Sequence, residues 1–193
     1  MNTPLVKICG LTRAEDVKFA VSRGAGAIGF VFAQSPRRIS PETAAQLVTH
    51  VPAGVLRVGL FLDQEREDIE RVLASVPLDV LQFHGCEREQ YCSAFGLPWL
   101  KALSMTDDVA LRRAERDYPG AMGWLLDSHR AGQRGGSGEV FDWSLVHAVD
   151  KPVWLAGGLH AANVGEAIRI VRPYAVDVSS GGESAPGIKD AAE

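Results

Sequence analysis

The sequence predicts one α/β domain with the (β/α)8, or TIM, barrel fold, in which the final helix is truncated or missing. Short runs of Val, Ile, Leu and Phe alternate with charged, Ala-rich stretches of helical periodicity, which is typical of a parallel sheet with helical connections. There are eight such runs, the number that closes a TIM barrel rather than an open sheet. With 193 residues, 46% hydrophobic content and no break in composition, residues 1–193 are expected to form a single domain.

The apolar runs define the predicted strands. They lie near residues 5–9, 27–32, 56–62, 80–83, 99–103, 124–127, 153–156 and 175–178. Polar residues typical of helix N-termini follow several of them. Thr12 precedes an acidic turn, Ser40 precedes a proline, and Asp107 precedes an Ala- and Leu-containing stretch.

The segment after the eighth strand departs from this repeat. Only residues 179–193 remain there, and glycines and Pro186 occupy much of that length, so a full closing helix does not fit. The seam between the last and first strands should therefore expose apolar surface that is available to a partner subunit. Monomer and homodimer both remain open.

Composition indicates which partners and compartment to expect. The net charge of −4 and the absence of a Lys/Arg-rich run argue against nucleic acid or an anionic membrane as the main partner. Met1 opens no secretory leader, and the apolar stretches are shorter than the ~20 residues of a membrane span. Cys9, Cys86 and Cys92 form neither a CxxC pair nor an even disulfide set. We expect a cytoplasmic protein with reduced thiols.

The first strand ends at a thiol that has a lysine on its own face. Side chains alternate along a strand, so Lys7 and Cys9 point the same way. Because a lysine is not expected dry between strand and helix, this face should look into a polar mouth. A thiol beside an ammonium ionises more easily, and the thiolate is the reactive form. The alternative is that Cys9 is a small buried hydrophobe, the commoner role of such a cysteine.

Active sites of TIM barrels lie at the carboxyl ends of the strands. The side chains and glycines found there, besides Cys9, are Arg37, Gln82, His84, Asp127, Gly157, Gly158, Ser179, Ser180 and Gly181. The loops after strands seven and eight usually build the phosphate site of such barrels, together with a short helix N-terminus. The Gly157-Gly158 pair and the Ser179-Ser180-Gly181 turn therefore predict a phosphorylated small-molecule ligand. Two ordinary glycine-rich turns are the alternative.

Asp127 is the candidate proton donor. It ends an apolar strand, where desolvation is expected to raise the pKa of a carboxyl, and it precedes a glycine-rich loop at 131–138 that could act as a lid. Alternatively, it caps that loop through the amides of Ser128 or Ser137. Strands one and six lie nearly opposite each other, so Cys9 and Asp127 would flank a ligand as base and acid.

The remaining polar candidates have less defined roles. Arg37 carries a planar fork that suits a carboxylate, whereas Arg38 is expected to be a solvated surface charge. His84 shares a face with Gln82, and both a backbone hydrogen bond and substrate contact are open to it. Asp177 should be buried near the phosphate loop, with a structural hydrogen-bonding role favoured.

No metal or nucleotide cofactor is predicted. Residues 24–29 satisfy the GxGxxG pattern, but they follow a helix and enter a strand, the reverse of the order that dinucleotide binding needs. The glycine-rich run at 132–138 lacks the GK[ST] ending of a P-loop. The five histidines show no metal-ligand spacing.

Taken together, these motifs resemble the phosphoribosylanthranilate isomerase family in order and spacing over nearly the whole chain. The motifs are KICGLT at 7–12, SPR at 35–37, QFHG at 82–85, LLD at 125–127, GGSG at 135–138, FDW at 141–143, LAGGL at 155–159 and VDVSSG at 176–181. The resemblance implies an eight-stranded barrel that performs an Amadori rearrangement in tryptophan biosynthesis. It departs from the family in Ser137 for a usual Thr, in Gly182 for a usual Val, and in the short final segment.

The resemblance also implies a role for each matched residue. Asp127 would protonate the ribose ring oxygen, and Cys9, as thiolate, would remove the C2′ proton. Arg37 would hold the anthranilate carboxylate, and the loops at 157–158 and 179–181 the phosphate. A related isomerase of histidine biosynthesis, which uses two carboxylates, and a barrel that only binds a phosphorylated ligand are the competing interpretations.

Overall fold

The computed structural model describes residues 3–107, 109–128 and 140–190. Eight parallel strands, β1 to β8, form a closed barrel in chain order, and two further strands, β9 and β10, form a separate hairpin. The strands are β1 (Leu5–Cys9), β2 (Ala27–Val31), β3 (Leu56–Phe61), β4 (Val80–Phe83), β5 (Trp99–Ser104), β6 (Gly123–Asp127), β7 (Val153–Leu155), β8 (Ala175–Val178), β9 (Glu183–Ala185) and β10 (Ile188–Lys189). The predicted fold is confirmed, with strand ends shifted by one residue at most.

Helices connect most of the barrel strands. The α-helices in the described residues are α1 (Ala14–Ser22), α2 (Pro41–Leu47), α3 (Arg66–Leu73), α4 (Glu89–Cys92), α5 (Val109–Asp117) and α6 (Val164–Val171). Single 3-10 turns cover Val48–His50, Ser93–Phe95, Trp143–Leu145 and Ser180–Gly182. No helix in the described ranges is long and apolar enough to cross a membrane.

Two of the three predicted helix starts are confirmed. The Ser40 hydroxyl accepts from the Thr43 amide at 3.2 Å, and Asp107 Oδ1 accepts from the amides of Val109 and Ala110 at 3.0 and 3.2 Å. Thr12 was wrong as a cap: Arg13 holds the cap position of α1 without a side-chain bond. The Thr12 hydroxyl instead donates to the Gly187 carbonyl at 2.6 Å, because the β9–β10 hairpin lies against this loop.

The strict strand-helix repeat does not hold at two places. Between β6 and β7, residues 140–152 contain only the 3-10 turn Trp143–Leu145. After β8, through residue 190, a 3-10 turn and the β9–β10 hairpin stand where a closing helix would be. The seam is correspondingly apolar: Val6, Ile8, Val176 and Val178 line a groove of about 420 Å³.

Alternation along the strands divides the barrel into two apolar layers. Side chains facing the helices form the larger cluster, while a smaller cluster fills the lumen around Trp154, with Val58, Leu100 and Leu125 beside it. The lumen is thus solid below the carboxyl ends of the strands. Polar side chains can enter it only near that end or where they are paired.

Lys101 contradicts the expectation that a lysine does not lie dry between a strand and a helix. Lys101 of β5 lies between Leu100 and Ala102, which face the lumen, so it faces the helices, and it is only 2% exposed. Its ammonium donates to the Gly85 carbonyl at 2.6 Å and to Glu87 Oε2 at 3.0 Å. A lysine is therefore tolerated dry between strand and helix when it is fully paired.

We expect Glu87→Gln to destabilise the fold by about 3 kcal/mol, since it leaves the buried Lys101 charge without its counter-ion. Urea unfolding measures this. Glu70→Gln is the matched control, because Glu70 pairs with Arg66 on the surface, where an ion pair contributes at most about 1 kcal/mol. Equal losses in the two variants would show that the buried pair contributes nothing special.

Candidate active site

A single cavity at the carboxyl ends of the barrel strands holds every predicted site residue. Its lining includes Cys9, Arg37, Gln82, His84, Asp127, Gly157, Gly158, Asp177, Ser179, Ser180 and Gly181. These residues come from six of the eight strand ends, and only barrel closure brings them together. Sequence reasoning missed the apolar wall of this cavity, formed by Val31 and Ala33 at the end of β2 and by Leu60 and Leu62 at the end of β3.

Cys9 lies on the lumen side of β1 above Lys7, as the alternation predicts. Lys7 is fully buried, and its ammonium donates to Asp177 Oδ2 at 2.7 Å. Burial opposes the charge, but the carboxylate of Asp177, reinforced by Cys9, raises the pKa of Lys7 above its ordinary value. Lys7 therefore stays an ammonium beneath the thiol.

The expectation that Cys9 ionises easily needs correction. Burial raises the pKa of the Cys9 thiol, and this effect outweighs the lowering by Lys7. Asp177 adds a smaller raising effect. The thiol is 4% exposed, so there is little water to solvate a thiolate. The Lys7 ammonium offsets part of the free-energy cost of ionising the Cys9 thiol, but not all of it.

Asp127 ends β6 on the far side of the cavity. Its Oδ2 lies 3.3 Å from His84 Nε2, and His84 Nδ1 lies 3.3 Å from Gln82 Nε2. With the Gln82 amide nitrogen as donor to Nδ1, the His84 proton lies on Nε2, which faces Asp127. The His84 side chain thus contacts a carboxylate and an amide rather than loop backbone. Ser128 Oγ is 3.4 Å from Asp127 Oδ1, while Ser137 and the proposed lid at 131–138 lie outside the described residues.

The loops after β7 and β8 approach each other closely. A Cβ at Gly181 would meet the Leu159 carbonyl, and one at Gly157 would lie 2.6 Å from the Ser128 amide. Gly157 also has a φ of +80°, which disfavours other residues. Asn163 fixes the β7 loop by donating to the Gly158 carbonyl at 2.9 Å. The two glycine-rich turns and the 3-10 turn Ser180–Gly182 thus form one wall that suits an anion.

Arg37 already holds a carboxylate, which sequence reasoning did not foresee. Its Nε lies 2.9 and 3.0 Å from the two carboxylate oxygens of Glu183, and its Nη2 lies 2.7 Å from Oε2. Lys189 Nζ donates to Glu183 Oε1 at 2.8 Å. Burial works against the Glu183 charge, but these hydrogen bonds outweigh it and hold the pKa of Glu183 below its ordinary value. In the sequence, this contact is indicated only by the acidic residue that follows the glycine-rich turn at 179–182, here called the phosphate turn.

Two residues of the cavity lining each carry a buried oxygen without a partner. Asp177 Oδ1 and Gln82 Oε1 accept no hydrogen bond from the described residues. Buried acceptors are normally satisfied, so these two are exceptions. Within the described ranges, no three His, Cys, Asp or Glu side chains cluster as metal ligands, and the prediction of no metal stays a prediction.

Comparison with known proteins points to one family. Residues 6–193 match the family model described as N-(5′-phosphoribosyl)anthranilate (PRA) isomerase. The chain is 53% identical over 189 residues to the N-(5′-phosphoribosyl)anthranilate isomerase of Pseudomonas putida (strain GB-1), covering 97% of this chain and 92% of that protein.

Solved structures agree. A phosphoribosylanthranilate isomerase in complex with reduced 1-(o-carboxyphenylamino)-1-deoxyribulose 5-phosphate has a TM-score of 0.83 and 39% identity, covering 98% of this chain and 94% of that one. Monomers of the dimeric phosphoribosylanthranilate isomerase from Thermotoga maritima have a TM-score of 0.85 and 38% identity, with the same coverage of 98% and 94%.

We expect the pH dependence of alkylation to show the raised pKa of Cys9. In a Cys86→Ser/Cys92→Ser variant, the rate of reaction with iodoacetamide should rise with pH at a midpoint above the ordinary value of 9.0, because the thiolate is the reactive form. Adding Lys7→Met should move the midpoint further up, since it removes the ammonium that lowers the pKa.

The control is Cys9→Ser in the same Cys86→Ser/Cys92→Ser background, which leaves no thiol and should abolish the reaction. A Cys9 midpoint at or below 9.0 would contradict the dominance of burial.

Proposed function

The chain belongs to the N-(5′-phosphoribosyl)anthranilate isomerase family, and we propose on that premise that it converts N-(5′-phosphoribosyl)anthranilate into 1-(2-carboxyphenylamino)-1-deoxyribulose 5-phosphate. This aldose-ketose isomerisation, an Amadori rearrangement, belongs to tryptophan biosynthesis. The observation that carries the proposal is the placement of Cys9 and Asp127 on opposite sides of one cavity. An intramolecular proton shift needs one base and one acid on either side of the substrate.

Asp127 is the proposed general acid. In its protonated form it donates to the ribose ring oxygen, and the C1′–O bond breaks to leave a Schiff base between C1′ and the anthranilate nitrogen. The carboxylate that remains lies 3.3 Å from His84 Nε2, which can donate a hydrogen bond to it. His84 and, behind it, Gln82 therefore stabilise the product of the first proton transfer.

Cys9 is the proposed general base. Its thiolate removes the C2′ proton, and the electron pair moves into the C1′–C2′ bond to neutralise the iminium nitrogen. The resulting enolamine tautomerises to the ketone as C1′ gains a proton and O2′ loses one. The positive iminium beside the sulfur adds to the effect of Lys7 and favours the thiolate when it is needed. Since the substrate nitrogen is the electron sink, the step requires neither metal nor cofactor.

The other lining residues are proposed to bind the substrate. The phosphate would lie against Gly157, Gly158 and the Ser179–Ser180–Gly181 turn, and Arg37 would hold the anthranilate carboxylate. The aromatic ring would pack on the wall of Val31, Leu60 and Leu62. Gln82 and Asp177, which line the same cavity, would lie beside the ribose.

The proposal includes the setting in which the enzyme works. Residues 1–193 would act as a single cytoplasmic domain, as a monomer or a homodimer, without nucleic acid or membrane as a partner. The net charge of −4 supports the last point, and Arg37 and Lys189 together carry one positive charge more than Glu183, which suits an anionic substrate.

The decisive experiment generates N-(5′-phosphoribosyl)anthranilate in situ and follows the loss of its anthranilate fluorescence on adding the protein. Loss of signal that requires Cys9 supports the proposed reaction and the proposed base. No loss with well-folded protein would overturn the proposal in favour of a barrel that only binds a phosphorylated ligand.

We expect Cys9→Ser and Asp127→Asn each to reduce kcat by about 10²-fold to 10⁴-fold, the usual contribution of a general acid or base. Binding of reduced 1-(o-carboxyphenylamino)-1-deoxyribulose 5-phosphate, measured by calorimetry, should remain nearly intact. Cys92→Ser and Asp79→Asn are the matched controls, because neither side chain lines the cavity. Equal loss of binding and turnover would contradict the acid and base assignments.

A further inference from the structure

We propose that Glu183 is a positioning residue for carboxylate recognition, a role that rests on the function proposed above. By binding one edge of the Arg37 guanidinium, it turns the opposite edge towards the carboxylate of the substrate. Glu183 is not itself a ligand of the substrate. Its effect is on the orientation of Arg37.

The hydrogen bonds divide the guanidinium into two edges. A guanidinium has five N–H groups, one on Nε and two on each Nη. Glu183 accepts from Nε and Nη2 and accounts for every side-chain hydrogen bond of Arg37 to the described residues. Three N–H groups remain, two on Nη1 and one on Nη2. The remaining N–H of Nη2 and one N–H of Nη1 form a second fork that can bind a carboxylate. Arg37 lines the cavity, and the proposal directs this second fork towards it.

Glu183 is itself held firmly. Lys189 Nζ bridges Glu183 Oε1 and the Ser179 carbonyl, both at 2.8 Å, and so ties the β9–β10 hairpin to the phosphate turn. The Lys189 amide donates to Asp16 Oδ2 at 3.2 Å, and Thr12 donates to the Gly187 carbonyl. The hairpin is thus fixed to the loop that follows Cys9. A carboxylate anchored at these points resists displacement from Arg37.

The charges in this cluster also fit a binding site rather than a closed structural pair. Arg37 and Lys189 carry two positive charges, and Glu183 carries one negative charge. The net positive charge that remains matches one further carboxylate. If Arg37 and Glu183 formed an isolated pair, the mouth would be neutral and a second carboxylate would gain little.

The opposite hypothesis is that Glu183 competes with the substrate for the same edge of Arg37. The two hypotheses predict opposite changes in the Kd of a carboxylated ligand when Glu183 is removed. Removing a positioning residue weakens binding of the carboxylate, whereas removing a competitor strengthens it. The sign is measured with two ligands: reduced 1-(o-carboxyphenylamino)-1-deoxyribulose 5-phosphate and its phenylamino counterpart, which lacks the carboxylate.

We expect Glu183→Ala to raise KM for the anthranilate substrate and Kd for the carboxylated ligand by about tenfold, because a charge-assisted contact loses its geometry. The kcat should stay within about twofold, and Kd for the phenylamino ligand should not change. Glu183→Gln should bind within about threefold of the parent protein, since its amide oxygen still accepts from Arg37. Glu183→Asp, which keeps the charge but withdraws it from Arg37, should behave like Glu183→Ala and replaces it if that variant does not fold.

Two variants separate failure of this inference from failure of the proposed function. Arg37→Ala should weaken binding of the carboxylated ligand and leave binding of the phenylamino ligand unchanged. If it weakens binding of both ligands equally, the assignment of Arg37 to the carboxylate is wrong. Suppose that Arg37→Ala weakens binding of the carboxylated ligand alone. The positioning role is then wrong if Glu183→Ala strengthens binding of the carboxylated ligand, or if it weakens binding of both ligands. Asp79→Asn, which alters the Arg57–Asp79 pair away from the cavity, should change neither Kd.

Discussion

Lys7 and Asp177 form an ion pair inside the barrel, where the first and last strands meet. The two residues are opposite each other in the β1–β8 register, and the ammonium and the carboxylate oxygen are 2.7 Å apart. Each would be a costly isolated charge in the lumen, but together they are tolerated. A register slip of one residue would turn one of them to the outer face and leave the other unpaired. The pair therefore favours one closure of the barrel.

The chemistry of the cavity depends on the same pair. Asp177 keeps Lys7 charged, and Lys7 lowers the pKa of Cys9 more than the second nearby cation, Lys189, does. One oxygen of Asp177 accepts from Lys7, and the other is buried without a partner among the described residues. A single contact thus links the first and last barrel strands and places a positive charge beneath the Cys9 thiol. Because burial raises the pKa of Cys9, a further positive charge next to the sulfur would favour the thiolate.

The described segment after β8 contributes to the cavity through a hairpin. The β9–β10 hairpin brings Glu183 to Arg37 and brings Lys189 to the carbonyl of Ser179. The groove lined by Val6 and Val178 lies beside it and stays apolar. The hairpin therefore makes polar contacts at the cavity but leaves the neighbouring apolar groove uncovered by the described residues.

The sequence by itself determined the barrel, because strand periodicity and turn residues act over a few neighbouring positions. It also determined the catalytic candidates: Cys9 and Asp127 stand where apolar runs end, and that position implies the cavity. Only the tertiary structure decided what each side chain contacts. The Arg37–Glu183 pair joins residues 146 positions apart, and Lys101 is dry because Glu87 folds back on it. The balance between burial and Lys7 at Cys9 is likewise tertiary. Local patterns carry no information on such contacts, since desolvation and pairing depend on atoms that are close only after the barrel has closed.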